Sequence, residues 1–141
     1  MSRSEPIGSR RKPTAQQSKP IDVVGMPWQK TKIPGIQIKV LYRNEETGQS
    51  TILFKFAPGA KTPLHEHTAL EQTFVLEGSL VDHDGEVTAG NYVWREPGSV
   101  HQAYAPNGSL HIAFFGGHNR MLEGPDATAL FEDPDNEEGS K

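Results

Sequence analysis

The 141-residue sequence contains no cysteine, so it offers neither a disulfide framework nor a thiolate ligand for a metal. It also has no run of about 18 apolar residues and no apolar stretch near its N-terminus, the features of a membrane span and of a secretion signal. We therefore expect a cytoplasmic protein without a membrane partner. The length suits one domain that buries its own hydrophobic core.

The charges lie mainly at the two ends of the chain. Residues 1–20 carry five basic side chains against one acidic, and residues 123–141 carry seven acidic against one basic. Both ends are also rich in Pro, Ser and Gly, which predicts a flexible basic N-terminal tail over 1–20 and a flexible acidic C-terminal tail over 123–141. Residues 21–122 form the predicted domain. Because this domain has no excess of basic residues, we expect no nucleic-acid partner.

The domain shows short alternating segments separated by turn signals, and no helical periodicity. Residues 36–42 and 50–56 read as a hairpin across the turn at 44–48, since apolar residues alternate in both. Further strands are predicted at residues 73–77, 80–81, around 87, and at 110–115. Five glycines at predicted strand ends suit positive φ angles: Gly59, Gly78, Gly85, Gly90 and Gly98. The pattern predicts an all-β fold, a small antiparallel barrel or sandwich.

A short apolar segment at residues 23–28, interrupted by Gly25 and Pro27, precedes the first predicted strand. Its Trp28 needs a cover, either on the barrel or on a second molecule. A small barrel leaves sheet edges and apolar side chains of this kind incompletely covered. We therefore expect a homodimer.

One stretch combines three potential metal ligands. His65 and His67 are two residues apart, so in a strand both side chains project from one face while Glu66 points the other way. Glu71 follows after four residues and could return a carboxylate oxygen to the same point, and His101 offers a fourth ligand. Two imidazoles and a carboxylate suit Zn, Fe, Ni, Mn or Cu rather than Ca²⁺.

These residues lie in two patterns that resemble those of the cupin superfamily. Residues 59–78 match the first cupin motif, Gly-x5-His-x-His-x3-Glu-x6-Gly, at every defined position. The second motif, Gly-x5-Pro-x-Gly-x2-His-x3-Asn, is matched at Gly90, Gly98 and His101, whereas Glu96 and Ala105 stand where Pro and Asn are usual. The resemblance implies a cupin, jelly-roll-like antiparallel β-barrel.

The resemblance also implies a function. The sequence is similar to small cupins that include acetylacetone-cleaving and dihydroxyacetophenone-cleaving dioxygenases, and to the cupin half of ChrR-type anti-sigma factors. It implies one divalent metal bound by His65, His67, Glu71 and His101, with Fe(II) favoured and Zn, Ni or Mn as alternatives. Glu71 is the candidate catalytic residue. We expect a non-haem iron dioxygenase that acts on a small carbonyl compound.

Two other functions remain open from the sequence. One is a non-enzymatic zinc-binding regulator of ChrR type, and the other is an isomerase or cyclase that uses the metal only as a Lewis acid. A ChrR-type regulator would carry a helical, zinc-ligating domain before its cupin. Residues 1–35 contain no cysteine and no helical periodicity, so the sequence favours the dioxygenase.

Three further histidines are assigned from their surroundings. His83 lies in an acidic turn, which predicts a solvated loop residue. His118 follows two glycines and is expected on the rim of the barrel. His111 could line the interior or point to solvent, and its sequence context does not distinguish the two.

Overall fold

The computed structural model describes residues 17–124, so both expected tails lie almost entirely outside the described residues. This part of the chain forms twelve β-strands and no helix. None of its segments is therefore a helix that could cross a membrane. The strands are β1 (Gln29–Lys30), β2 (Ile36–Arg43), β3 (Ser50–Phe56), β4 (Ala60–Lys61), β5 (His65–His67), β6 (Glu71–Asp82), β7 (Gly85–Thr88), β8 (Tyr92–Arg95), β9 (Val100–His101), β10 (Tyr104–Ala105), β11 (Ser109–Phe115) and β12 (Asn119–Met121).

The strand pairs among residues 17–124 are all antiparallel and form two sheets. The larger, nine-stranded sheet has the order β1-β2-β3-β11-β6-β10-β4, with β7 and β8 also paired to β6. It curls into a half-barrel. The smaller sheet has the order β12-β5-β9. The predicted all-β cupin fold is thereby confirmed, and the small sheet contains the two segments that carry the predicted metal ligands.

The core lies on the concave face of the large sheet. Alternate residues of each long strand point inward, so Ile38 pairs with Phe54, and Phe54 in turn pairs with His111 on the next strand. The side chains of Ile38 and Val75 are fully buried. Burial of an aliphatic or aromatic side chain of this size contributes about 1.5–3 kcal/mol, which makes this face the main source of stability.

Gly78 lies inside β6, not at a strand end as the sequence predicted. Its φ of 73° lies in the left-handed region that favours glycine. A Cβ atom at this position would lie 2.1 Å from the carbonyl oxygen of Gly108. The pairing of β6 with β11 shifts register near this point, between Leu110 and His111. A glycine therefore lets one long strand continue through an irregularity where the sequence indicated two short ones.

The segment at residues 23–28 packs against the barrel through Trp28. The ammonium groups of Lys39 and Lys55 lie 4.8 Å and 5.1 Å from the centre of the Trp28 ring. Lys39 also donates a hydrogen bond of 2.7 Å to the carbonyl oxygen of Val23. Two cations on one indole ring are each attracted by its π-system. The cover that Trp28 requires thus comes partly from the same molecule.

Candidate metal centre and its cavity

The small sheet brings three histidines together. His65 on β5 lies directly opposite His101 on β9 in the antiparallel register, and His67 projects from the same face of β5 as His65. The three side chains are buried, and one nitrogen of each lies within 4.8 Å of one nitrogen of each of the others. These histidines could hold one metal ion. They are the residues that the sequence predicted for that role, and their metal binding stays a prediction.

Each of the three rings is oriented by a hydrogen bond at Nδ1. The partner is the Pro63 carbonyl oxygen for His65 at 2.8 Å, the Asn119 side-chain oxygen for His67 at 3.1 Å, and the Asp82 carboxylate for His101 at 2.8 Å. All three partners are acceptors, so Nδ1 carries the proton and Nε2 keeps a lone pair. A partner of this kind is the usual support of a metal-binding histidine.

The distance between two of these lone-pair nitrogens indicates that a cation belongs between them. Nε2 of His67 lies 2.9 Å from Nε2 of His101. Two unprotonated nitrogens at this separation repel each other unless a proton or a metal ion lies between them. Metal–imidazole bonds are about 2.0–2.1 Å long, so both nitrogens can reach one ion. The arrangement therefore fits a divalent transition metal.

The histidines remain neutral at physiological pH. Burial lowers the pKa of His67 to about 4 and that of His101 to about 3, and the nearby Arg95 guanidinium adds to both shifts. Burial also lowers the pKa of His65. Since a metal binds only neutral imidazole, protons compete weakly with a metal at this site above pH 6.

Glu71 lies beside the cluster and is shared between two partners. Its Oε1 is 3.3 Å from Nε2 of His67 and 3.2 Å from the guanidinium of Arg95. Arg95 lies opposite Glu71 in the pairing of β6 with β8, which explains their contact. Burial raises the pKa of Glu71, although Arg95 opposes this shift. Glu71 thus contacts one histidine of the cluster but is not part of the three-histidine group, and its predicted role as a metal ligand stays a prediction.

Arg95 links Glu71 to the second carboxylate, Asp82. The Asp82 Oδ2 atom accepts a hydrogen bond of 2.9 Å from Arg95 and one of 2.8 Å from His101. Burial alone would raise the pKa of Asp82, but the bonds from His101 and Arg95 lower it to about 2. Asp82 is therefore ionised at neutral pH, and its charge is balanced by Arg95.

A cavity of about 490 Å³ opens from the histidine cluster into the half-barrel. His65, His101, Glu71 and Arg95 form a polar part of its wall. Apolar side chains form another part of the wall, and they are Ile52, Phe54, Phe56, Leu80, Phe115 and Met121. A volume of this size, with apolar side chains beside convergent polar groups, is typical of a small-molecule site.

Sequence reasoning missed three residues of the polar network: Asp82, Arg95 and Asn119. Asp82 adjoins the acidic turn that carries His83, and the sequence pattern predicts neither β8 nor β12, which carry Arg95 and Asn119. The alternation of Val93 and Arg95 across a short strand was the available signal for an inward-facing arginine. The last predicted strand was ended at residue 115, which excluded Asn119.

The other histidines are also placed. His83 is 64% exposed at its side chain, as predicted for a loop residue, and lies near Asp84. His118 is exposed and lines the mouth of the cavity, in agreement with the rim prediction. His111, which the sequence left open, is buried and lines the cavity.

The chain was compared with models of protein families, with curated proteins and with solved structures. A model of the ChrR cupin-like domain matches residues 16–120. No curated protein matches the sequence significantly.

Three solved structures illustrate the likeness. A cupin-like protein of unknown function from Ralstonia eutropha is 26% identical over 66% of this chain and 62% of its own, with a TM-score of 0.60. An acetylacetone dioxygenase from Acinetobacter johnsonii is 20% identical over 81% and 83%, with a TM-score of 0.66. The Rhodobacter sphaeroides complex of SigE with the anti-sigma ChrR matches at 22% over 66% and 50%, with a TM-score of 0.57. The chain thus spans less than two thirds of the first and third of these proteins, and the likeness at such identities concerns the fold.

Proposed function

The chain belongs to the ChrR cupin-like domain family, and we propose that it is a metal-dependent member that oxidises a small carbonyl compound with O2. The observation that carries this proposal is the convergence of three buried, neutral histidines, two of which, His65 and His101, line a cavity with polar and apolar walls. A metal site of this kind is chemically competent only if a substrate can reach it, and the cavity provides the room. The similarity to an acetylacetone dioxygenase supports the carbonyl substrate.

We assign the metal to Nε2 of His65, His67 and His101, with Glu71 as a fourth ligand in the resting state. Imidazole-rich sites accept Fe, Zn, Ni and Mn, and iron is favoured here because O2 chemistry needs a redox-active metal. Fe(II) would supply electrons for the activation of O2, which Zn²⁺ cannot do. The residues fit such an ion because their Nδ1 atoms are all occupied by hydrogen-bond acceptors.

Glu71 is the proposed catalytic residue. A carbon atom next to a carbonyl group loses a proton to a nearby base, which produces an enolate. Burial raises the pKa of the Glu71 carboxyl group, so its carboxylate is a stronger base than a solvated one. The Arg95 guanidinium holds Oε1 of Glu71 on the cavity wall. After the proton has moved to Glu71, Arg95 would stabilise the negative charge of the enolate. Phe54 and Phe115 supply apolar surface to the same cavity.

A second candidate function is a zinc-binding regulator without catalytic activity. The match to the ChrR cupin-like domain and the structural likeness to the ChrR complex support it. The same three histidines would then hold zinc, and the cavity would bind a signal molecule. The two candidates differ in whether the metal must be redox-active.

Oxygen uptake measured with defined metals separates the two candidates. The purified protein is stripped with chelator, reloaded anaerobically with Fe(II) or Zn²⁺, and mixed with a panel of diketones and aromatic hydroxyketones in an oxygen electrode. We expect uptake with Fe(II) alone, loss of uptake in His101→Ala, and full activity in the matched His83→Ala control. If the Fe(II) form consumes no O2 while the Zn²⁺ form binds the same compounds equally well, the regulator replaces the dioxygenase.

A further inference from the structure

A fourth buried histidine lies in the same cavity but away from the metal-site histidines. His111 on β11 is 4% exposed, and its ring stacks on Phe54 with a centroid distance of 5.1 Å and meets Phe56 edge-on at 5.0 Å. His111 pairs with Val75, four residues along β6 from Glu71. Val75 and Glu71 are therefore roughly 13 Å apart along β6. His111 and Glu71 thus line the same cavity from different positions along β6 and β11.

The hydrogen bond at Nδ1 determines which ring nitrogen carries the proton. Nδ1 of His111 lies 2.8 Å from the hydroxyl oxygen of Ser109, which is also buried. Among the described residues, the Ser109 hydroxyl has no other hydrogen-bond acceptor within reach. If Nδ1 were the donor, the hydroxyl proton would remain unpaired in the core, which costs about 1–3 kcal/mol. The hydroxyl therefore donates to Nδ1, and Nε2 of His111 bears the ring proton.

Nε2 is directed at the cavity. Within residues 17–124 no protein group pairs with it, and no fully buried side-chain nitrogen or oxygen in this range lacks a partner. Nε2 therefore touches the cavity space, which agrees with the place of His111 in the cavity wall. A polar hydrogen held rigidly between two phenylalanine rings is left for a ligand.

We propose that His111 is a ligand-binding residue, whose Nε2–H donates a hydrogen bond to a neutral oxygen acceptor, such as a carbonyl, ether or phenol oxygen, on an aromatic ligand. The phenylalanine rings that hold His111 provide the apolar surface for the rest of the ligand. The proposal rests on the proposed function only in treating this cavity as the ligand site. It extends that function by adding a second recognition point for the substrate in the cavity wall.

The electrostatics favour an uncharged acceptor. Burial, helped by Arg95, lowers the pKa of His111 to about 3, so the ring donates a hydrogen bond without carrying a charge. A carboxylate placed among Phe54, Phe56 and Leu80 would lose its hydration, and the nearby Arg95 guanidinium is already paired with Glu71 and Asp82. A ketone or an ether loses much less and gains a directed bond.

The test uses metal-free protein and two probes that differ in one group. Acetophenone carries a carbonyl group where α-methylstyrene carries a methylene group of similar shape. Both are titrated into protein labelled with ¹⁵N at histidine, and binding is followed by the Nε2 signal of His111. We expect His111 to show the Nε2–H tautomer and the signal to move with acetophenone. The affinity ratio is the affinity for acetophenone divided by that for α-methylstyrene. We expect this ratio to be about three- to tenfold larger in the wild-type protein than in a variant without the donor.

The variants are chosen so that a folding defect does not mimic the result. The double variant Ser109→Ala/His111→Phe removes both polar groups together, so no buried hydroxyl is left without a partner. Its affinity ratio should be lower than that of the wild type by the whole about three- to tenfold factor. His111→Gln supplies an amide donor and should recover part of it. The matched control is His83→Gln, which changes an exposed histidine outside the cavity lining and should leave the ratio unchanged.

Three results would overturn the proposal: an unchanged affinity ratio in the double variant, the opposite tautomer at His111, or no binding of either probe at millimolar concentration. Because no metal is present, these outcomes are independent of the oxygen-uptake experiment. A protein that binds acetophenone through His111 but consumes no O2 with Fe(II) would refute only the proposed dioxygenase activity.

Discussion

Oδ2 of Asp82 accepts a hydrogen bond of 2.8 Å from Nδ1 of His101 and one of 2.9 Å from Arg95. The first bond places the ring proton of His101 on Nδ1 and leaves the lone pair of Nε2 for a metal. The second neutralises the charge of Asp82, so the carboxylate can remain ionised in a largely buried position. Asp82, the last residue of β6, thus determines which ring nitrogen of His101 on β9 carries the proton.

Replacing Asp82 by Ala should weaken metal binding without removing a proposed ligand. Loss of a hydrogen-bond partner behind a metal-binding histidine typically costs 10- to 100-fold in affinity, and we expect a decrease of about that size. Competition with a chromophoric chelator at pH 7 measures it. The exposed Asp84 provides the control, because Asp84→Ala should bind metal like the wild type. Equal affinities in both variants would show that Asp82 does not orient His101.

Replacing His67 by Ala should abolish stable metal binding. His67 is the most deeply buried of the three histidines, and its Nε2 lies near both His101 and Glu71. Without it, only two of the three imidazoles remain, on the paired strands β5 and β9. Elemental analysis of protein purified without added metal should find a metal in the wild type and in the His83→Ala control. A full complement in His67→Ala would refute the proposed ligand set.

Acid should destabilise the metal-free protein through His111. The unfolded chain takes up a proton at His111 near pH 6.5, whereas the folded protein does so only near pH 3 because burial opposes the charge. The unfolded state therefore binds more protons between these values, and stability falls as pH decreases through this window. The loss from one such histidine is at most about 1.4 kcal/mol per pH unit, or roughly 2 kcal/mol between pH 7 and pH 5.

Urea unfolding at pH 7 and pH 5 tests this effect. His111→Gln removes the titrating group. The free energy of unfolding of this variant should therefore decrease between pH 7 and pH 5 by about 2 kcal/mol less than that of the wild type. The exposed His83 serves as the control, since His83→Gln should lose as much stability as the wild type. An identical decrease in His111→Gln would mean that His111 is not neutral in the folded protein.

The sequence was most informative where a strand is long and only one of its faces is buried. The hairpin of β2 and β3 was predicted almost residue for residue, because Ile52, Phe54 and Phe56 alternate with more exposed neighbours. The three histidines were found for a related reason, since spacing of two along a strand guarantees a shared face. Both conclusions need only local periodicity.

The supporting residues of the site could not be found in this way. Asn119 reaches His67 because β12 pairs with β5, and Arg95 reaches Glu71 because β8 pairs with β6. These contacts depend on which strands become neighbours. The strands concerned have three and four residues, too short for an alternating pattern to stand out. The role of His111 was hidden for a similar reason, because the partner that orients it, Ser109, precedes the predicted start of its strand.

Replacing Gly78 by Ala should destabilise the fold far more than the same change at Gly59. Both glycines have positive φ, but a Cβ at Gly78 would collide with the backbone of Gly108, whereas one at Gly59 would meet nothing within 4 Å. The backbone strain alone costs about 1–2 kcal/mol at either position. The collision should bring the loss at Gly78 to about 3 kcal/mol or more in urea unfolding. Similar losses at both positions would show that the strand relaxes around the new methyl group.

The outer face of the large sheet carries a group of exposed large apolar side chains on three neighbouring strands. We call this group the aromatic patch, and its members are Phe74, Leu76, Tyr92, Trp94 and Phe114. In the registers of β8 and β11 with β6, Tyr92 lies opposite Phe74, and Trp94 and Phe114 lie on either side of Gln72. Clustered apolar side chains of this kind mark association surfaces more often than isolated ones do.

The homodimer that the sequence suggested therefore has two candidate interfaces, the segment at residues 23–28 and the aromatic patch. Within that segment Trp28 is already covered by two lysines, and Val24 is the large apolar residue left 93% exposed. The patch offers more apolar area on a rigid sheet, so we expect the second copy to bind there.

Trp94→Glu would place a charge among the apolar side chains and should raise the dimer dissociation constant by at least about 30-fold, as for a central interface residue. Val24→Glu is the matched control and should leave it unchanged. Sedimentation over a range of micromolar concentrations measures both, and dissociation by Val24→Glu alone would move the interface to the N-terminal segment.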